Sequence, residues 1–186
     1  PAGSVCAGGA SQPRPCPRGG FCVANVSTSI DCPAGRYGDV TGLSDARCSG
    51  LCKQGYWGEA GSVSAKGAPC AEGTYGNASG LVSQANCTAC PAGHACAEAA
   101  SAPAECTAGS AANTTGMGSC APCEAGFHQS DKGESACQLC TLGHWCEQGA
   151  SVPTACDAGY FGNRTALQSA AQCHMCPMAH FCVSGS

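Results

Sequence analysis

The sequence predicts small disulfide-rich repeats: an elongated rod of tandem cysteine-rich modules with short β-hairpins and little helix. Three observations carry this expectation. Twenty of the 186 residues are cysteine, above the roughly 8–10% level that marks a disulfide scaffold. The gaps between cysteines recur along the chain. Ordinary core material is scarce, because the 44% hydrophobic content is mostly 33 Ala and 20 Cys, with only six Leu and one Ile. Alanine buries little area, and core free energy scales with apolar area. Covalent links must therefore hold the fold, and a bridge closing a loop of about 15 residues contributes ~3 kcal/mol, mainly by restricting the unfolded chain.

The repeat is clearest between Cys70 and Cys106, and two kinds of piece alternate along the chain. A short piece, C-x5-C-x9-C, occurs at Cys16/Cys22/Cys32, Cys90/Cys96/Cys106 and Cys140/Cys146/Cys156, and begins again at Cys176/Cys182. A long piece, opening as C-x-x-G with an aromatic one or two residues after the glycine in four of its five copies, runs Cys32–Cys48, Cys70–Cys87, Cys106–Cys120, Cys123–Cys137 and Cys156–Cys173. Cys52 opens a similar segment that reaches Cys70 without the extra cysteine, and Cys6 has no obvious local mate. The expected divisions are 1–15 as the end of a preceding module, 16–69 as an irregular first repeat, 70–105, 106–139 and 140–175 as further repeats, and 176–186 as the start of another. No linker interrupts the array, since the Ala/Ser/Pro stretch 97–105 has the same length as 147–155.

All ten aromatics fall at repeat positions, either after the glycine of a long piece or just before the second cysteine of a short one. Their expected role is to cover a disulfide and pack on the neighbouring module. After the aromatic comes a turn position: Asp39, Glu59, Asn77, Asn113 or Asn163, several with a preceding glycine. Gly-Asn and Gly-Asp tolerate positive φ, so a tight hairpin turn is expected there. Strands should be about two to four residues long. Residues 80–86 and 166–172 are expected to form one helical turn each.

All five asparagines stand in N-x-[ST] sequons: Asn25, Asn77, Asn86, Asn113 and Asn163. One sequon is weak evidence, but five of five point to an N-glycosylated extracellular chain. No Lys/Arg cluster offers a nucleic-acid surface, and no run of about 20 apolar residues spans a membrane. The chain is expected to be a segment of a longer secreted protein, partnered by other modules of that chain and open to forming homo-oligomers or filaments.

The strings CPAGRYGDVTGL, CAEGTYGNASGL, CPAGHAC and CDAGYFGNRTAL resemble the ephrin-receptor-like cysteine-rich repeats, distant relatives of EGF-like and tumour-necrosis-factor-receptor modules. The resemblance covers the chain from Cys16 onward. It implies a cell-surface or secreted protein, of the kind frequent in algae and other protists, built as a rod of small disulfide-knit units for adhesion, spacing or recognition. Connectivity does not follow from spacing. The favoured scheme closes each long piece on itself (Cys32–Cys48, Cys70–Cys87, Cys106–Cys120, Cys123–Cys137, Cys156–Cys173) and each short piece on itself (Cys16–Cys22, Cys90–Cys96, Cys140–Cys146, Cys176–Cys182). The rival is a receptor-like crossed scheme in which Cys90–Cys106 and Cys96–Cys120 interlock. Cys6 and Cys52 are left over in the first.

One constellation has metal-ligand chemistry. C-x2-C-x3-H-x-C recurs at Cys87/Cys90/His94/Cys96, Cys137/Cys140/His144/Cys146 and Cys173/Cys176/His180/Cys182. Three thiolates and an imidazole make a plausible zinc set, but sequons place the chain where thiols oxidise. Acids are scattered and offer no calcium cage. No nucleophile beside a base is legible. The expectation is a non-enzymatic structural glycoprotein segment without cofactors other than N-linked glycans, serving as spacer or building block of a cell-surface, matrix or filament assembly. A receptor-type ectodomain binding a protein ligand is the alternative.

Overall fold

A computed structural model describes residues 1–6 and 12–186. Residues 7–11 of the 1–15 segment lie outside the described residues. The chain divides into two compact units, one of Pro1–Ala89 with Cys96–Ala102 and the other of Cys90–Ala95 with Pro103–Ser186.

Among the described residues the first unit holds five antiparallel hairpins: β1 (Ser4–Val5) with β2 (Arg14–Pro15), β3 (Gly20–Phe21) with β4 (Ile30–Asp31), β5 (Arg36–Tyr37) with β6 (Gly50–Leu51), β7 (Tyr56–Trp57) with β8 (Ala68–Pro69), and β9 (Thr74–Tyr75) with β10 (Thr88–Ala89). The second holds five more: β11 (His94–Ala95) with β12 (Ala104–Glu105), β13 (Ser110–Ala111) with β14 (Ala121–Pro122), β15 (Phe127–His128) with β16 (Gln138–Leu139), β17 (His144–Trp145) with β18 (Thr154–Ala155), and β19 (Tyr160–Phe161) with β20 (His174–Met175). Each of these strands is two residues long. The only helices among the described residues are single 3-10 turns at Gln84–Asn86 and Ala170–Gln172, within the two stretches expected to form them.

The short and long pieces of the sequence are one structural repeat. Each hairpin from β3 onward follows an opening cysteine: Cys16, Cys32, Cys52, Cys70, Cys90, Cys106, Cys123, Cys140 or Cys156. Counting that cysteine as position 0, position 3 is glycine in all nine. The reason is local. In the Cys32 repeat Arg36 N–H donates to Pro33 C=O at 3.0 Å, and Gly35 between them has φ +79°. That is a type II turn, which needs positive φ at its third residue. The turn delivers the chain into the first strand at position 4. The N–H of the next opening cysteine closes the hairpin, as Cys32 N–H donates to Gly19 C=O at 2.8 Å.

A second left-handed residue follows at position 9 or 10. It is Gly42, Gly61, Gly80, Gly116, Gly133 or Gly149 in some repeats, but Asn25, Ala99 or Ala166 in others. The tight Gly-Asp or Gly-Asn turn expected at position 7 is absent: Asp39, Asn77, Asn113 and Asn163 have no positive φ. Longer loops join the strands instead, and the chain reverses two or three residues later. Glycine at position 6 has another cause. A Cβ on Gly38 or Gly76 would lie 3.0 Å from the sulfur of its own opening cysteine, Cys32 or Cys70.

Successive repeats within each unit are joined by backbone. Between the Cys16 and Cys32 repeats Gly19 N–H donates to Gly38 C=O at 2.8 Å, Cys22 N–H to Leu43 C=O at 2.9 Å, and Gly42 N–H to Cys16 C=O at 2.8 Å. Between the Cys140 and Cys156 repeats the same positions pair: Gly143 to Gly162 at 3.2 Å, Cys146 to Leu167 at 2.8 Å, and Ala166 to Cys140 at 2.9 Å. Main-chain hydrogen bonds thus join the units, in addition to the aromatics expected to do so. Aromatics assist, as where Trp57 Nε1–H donates to Gln84 Oε1 at 3.2 Å.

The interior is sulfur. Among the described residues, thirteen of the seventeen buried apolar ones are cysteines, the others being Phe21, Ala111, Ala112 and Leu167. Contacts reach one repeat further as well: a Cβ on Gly126 would lie 2.7 Å from the Ala166 carbonyl oxygen, and one on Gly109 would collide with the carbonyl of Gly149. Gly149 has similar φ, +76°, but a Cβ there would meet only Pro122 Cβ, at 3.9 Å. Gly149→Ala is thus expected to cost only the ~1–2 kcal/mol of a left-handed alanine. Gly109→Ala should cost a further ~1–3 kcal/mol for overpacking, read as a lower chemical-denaturation midpoint without reductant; equal midpoints for the two variants would contradict the packing described.

Candidate functional site

The residues with distinctive chemistry are the bridges, the unpaired thiols and the sequon asparagines. The structure brings together Cys32 and Cys48, Cys70 and Cys87, Cys106 and Cys120, Cys123 and Cys137, and Cys156 and Cys173. It also joins Cys16 to Cys22, Cys140 to Cys146, and Cys176 to Cys182. Cys90 and Cys96 are disulfide-bonded too. With Cys106 held by Cys120, the crossed scheme is not the one present. Cα–Cα separations of 5.6–6.0 Å sit inside the range that a bridge spans without backbone movement.

One rule sorts the bridges. Where position 6 is cysteine, it closes the repeat locally, and both sulfurs of Cys16–Cys22 and Cys140–Cys146 are buried. Where position 6 is Gly38, Gly76, Gly162, Ala112 or Gln129, the partner comes from the far end of the loop and is half-buried. The Cys52 repeat has neither. Gly58 stands at position 6 and Gly67 at the far-end position, so Cys52 is a free thiol with no exposed surface. Burial pushes its pKa up, against a smaller lowering by its backbone hydrogen bond. The folded thiol stays protonated where the unfolded one ionises, so this group favours the fold less as pH rises through the ordinary thiol range. A protonated, enclosed sulfur is a poor nucleophile. Beside it an open groove of about 410 Å³, lined by residues that include Trp57, Glu59, Ser62 and Lys66, occupies the loop that no bridge tightens. Cys6, also unpaired, is exposed.

The three histidines of the recurring Cys/His pattern point elsewhere than at a metal. Each Nδ1 lies against the carbonyl two residues back, Ala92 at 3.2 Å for His94, Leu142 at 2.9 Å for His144 and Met178 at 3.1 Å for His180. Their cysteine companions are oxidised, so the thiolates a zinc set needs are consumed.

All five sequon asparagines are exposed. Asn77, Asn113 and Asn163 share position 7, just past the first strand, while Asn25 occupies the left-handed position with φ +64°. Asn86 sits in a 3-10 turn, where its Oδ1 accepts from Ser83 Oγ at 3.1 Å. A second groove, about 330 Å³, has Asn113, Pro122 and Phe127 among its lining residues.

Sequence reasoning missed two buried polar residues. His128 and Gln129 stand at positions 5 and 6, where aromatic and small residues are usual. Gln129 fills the missing sulfur's place and ties the loop: its Nε2 donates to Ala136 C=O at 2.7 Å, and its Oε1 accepts from Asp131 N–H at 3.0 Å. His128 is 8% exposed with Nδ1 unpartnered. The departure of Gln129 from the Gly/Ala/Cys pattern at position 6 was the available signal.

No protein-family model matches the chain, and no curated protein matches it either. What stands is a tandem array of cysteine-rich repeats built on small β-hairpins, with oxidised cysteines that belong to an oxidising environment. Among the described residues no helix is long and apolar enough to cross a membrane.

The bridge rule makes a sharp prediction. A Cβ on Gly58 would lie 2.5 Å from the Cys52 sulfur, so Gly58→Cys is expected to link its new sulfur to Cys52 in a bridge of the Cys16–Cys22 kind. Non-reducing peptide mapping should recover that cross-link, with one thiol fewer titrating in denaturant than in wild type. Two reactive thiols in this repeat of the variant would show the rule to be wrong.

Proposed function

We propose that this chain is a structural, non-enzymatic segment of an extracellular glycoprotein, a glycosylated disulfide-stapled rod that spaces or builds a cell-surface, matrix or filament assembly. The observation that carries the reading is the recurrence of one backbone junction, three hydrogen bonds between the same positions, from repeat to repeat within each unit. A junction made of main chain does not depend on side-chain identity, so repeats of varied sequence stack alike and length is set by their number. Most of the residues that elsewhere do chemistry are here occupied by structure: all cysteines but Cys6 and Cys52 in bridges, His94, His144 and His180 on backbone carbonyls, and Gln129 on a loop.

The likeness of CPAGRYGDVTGL and its copies to ephrin-receptor-like repeats supports the same placement outside the cell. Glycans on Asn25, Asn77, Asn86, Asn113 and Asn163 would coat the loops and keep lateral surfaces apart. The partners fitting such a design are further repeats of the same kind.

Removing one whole repeat, residues 123–139, tests the reading. The junction chemistry on either side is the same, so the shortened protein is expected to fold, and small-angle scattering should show a shorter particle of unchanged cross-section. A maximum dimension that stays constant, or a particle of globular proportions, would contradict a spacer. Saturable binding of a soluble protein ligand, lost on removing this repeat, would favour the receptor-type reading.

A further inference from the structure

The groove beside Asn113 has a lining that none of the readings above uses. Asn113 is at position 7 of the Cys106 repeat and stands at the edge of this open groove of about 330 Å³. The next repeat contributes Phe127 at its position 4, half-buried, while Ala121 and Pro122 of β14 supply further apolar surface. Glu124 and Ser135, both exposed, supply hydrogen-bonding groups. We infer that this groove seats the first N-acetylglucosamine of a glycan on Asn113. The inference rests on the reading of Asn113 as a glycosylated sequon.

The chemistry fits this ligand class. A pyranose is amphipathic: one face carries polarised C–H groups that an aromatic face, negative by its quadrupole, attracts. The acetamido methyl needs apolar surface, which Pro122 and Ala121 offer. The hydroxyls and amide need polar partners, which Ser135 and Glu124 provide. The volume lies near the low end for small-molecule sites, about 300 Å³, and suits a single hexosamine. Attachment at Asn113 makes the encounter intramolecular, so a shallow groove suffices.

Asn163 supplies the contrast. It holds the same position 7, but the following repeat places exposed His180 where Phe127 stands for Asn113. Its glycan therefore lacks an aromatic floor. A groove serving Asn113 makes that glycan part of the packing between two repeats, and the other a solvated coat.

Site-resolved deglycosylation tests this on the full chain secreted from a eukaryotic host. Glycopeptide mapping first records occupancy at the five sequons. The native protein is then treated with an amidase that cuts the Asn–glycan bond, and release is followed at each site. The glycan on Asn113 is expected to leave about tenfold more slowly than that on Asn163, as an aromatic contact near the top of its usual strength would give. Phe127→Ala should bring the two rates together, and Phe127→Tyr should keep them apart. Equal rates in the wild-type protein, a comparison that needs no variant to fold, would overturn the inference. So would a bare Asn113 beside an occupied Asn163, which would leave the glycoprotein reading intact. Five bare asparagines would overturn that reading, and this inference with it.

Discussion

The disulfide that ties the opening cysteine of every repeat but the Cys52 one is the constraint on which the rest of this structure depends. Two-residue strands cannot hold a hairpin together, since even longer isolated hairpins are marginal in water. With one buried leucine and one buried phenylalanine among the described apolar interior residues, burial does not make up the difference. A disulfide does so by fixing the loop against its own turn. Once fixed, positions 3 and 6 present their N–H groups, and position 0 its C=O, in the geometry that the next repeat meets. Covalent closure inside the repeat thus enables hydrogen bonding between repeats.

The Cys52 repeat shows how far this dependence extends. Its opening sulfur has no mate, yet its hairpin forms and its junctions on both sides are intact: Gly35 N–H donates to Gly58 C=O at 2.7 Å and Gly55 N–H to Gly76 C=O at 2.8 Å. A repeat held by its neighbours can lack its own staple, which is the behaviour of a linear array whose stability is shared between repeat and interface. The consequence is local. The untightened loop lies open beside Trp57 and Lys66, and Cys52 is kept as a buried, protonated thiol.

Much of this was legible in the sequence for physical reasons. Glycine at position 3 is required by a type II turn, and the cysteine gaps mark each hairpin because the opening sulfur is a fixed point. The turns at Gln84–Asn86 and Ala170–Gln172 lie where polar and small residues follow a Gly-Leu or Ala-Leu step. Other features were hidden. The second left-handed position escaped notice because Asn25, Ala99 and Ala166 fill it as well as glycines do; Ala99 and Ala166 donate their N–H to Cys70 and Cys140 C=O at 2.9 Å, as the glycines of other repeats do to theirs. The single repeat type was masked by two staple designs and by loops of unequal length. The groove at Asn113 joins residues of two repeats, and no local pattern announces it. For function, composition and sequons pointed outward from the cell, and the geometry adds a backbone junction suited to building length.

Amide hydrogen exchange on the native protein and on the reduced, alkylated protein at neutral pH, with deuterium located by fragmentation, tests the central claim most directly. If sulfur bridges set the junctions, the amides of Gly19, Gly38, Gly109 and Gly143 will be protected in the native protein and exchange at the rate of an unstructured chain after reduction. Protection that survives at these glycines once every bridge is broken would contradict the account, and would mean that packing and main-chain bonds alone hold the array.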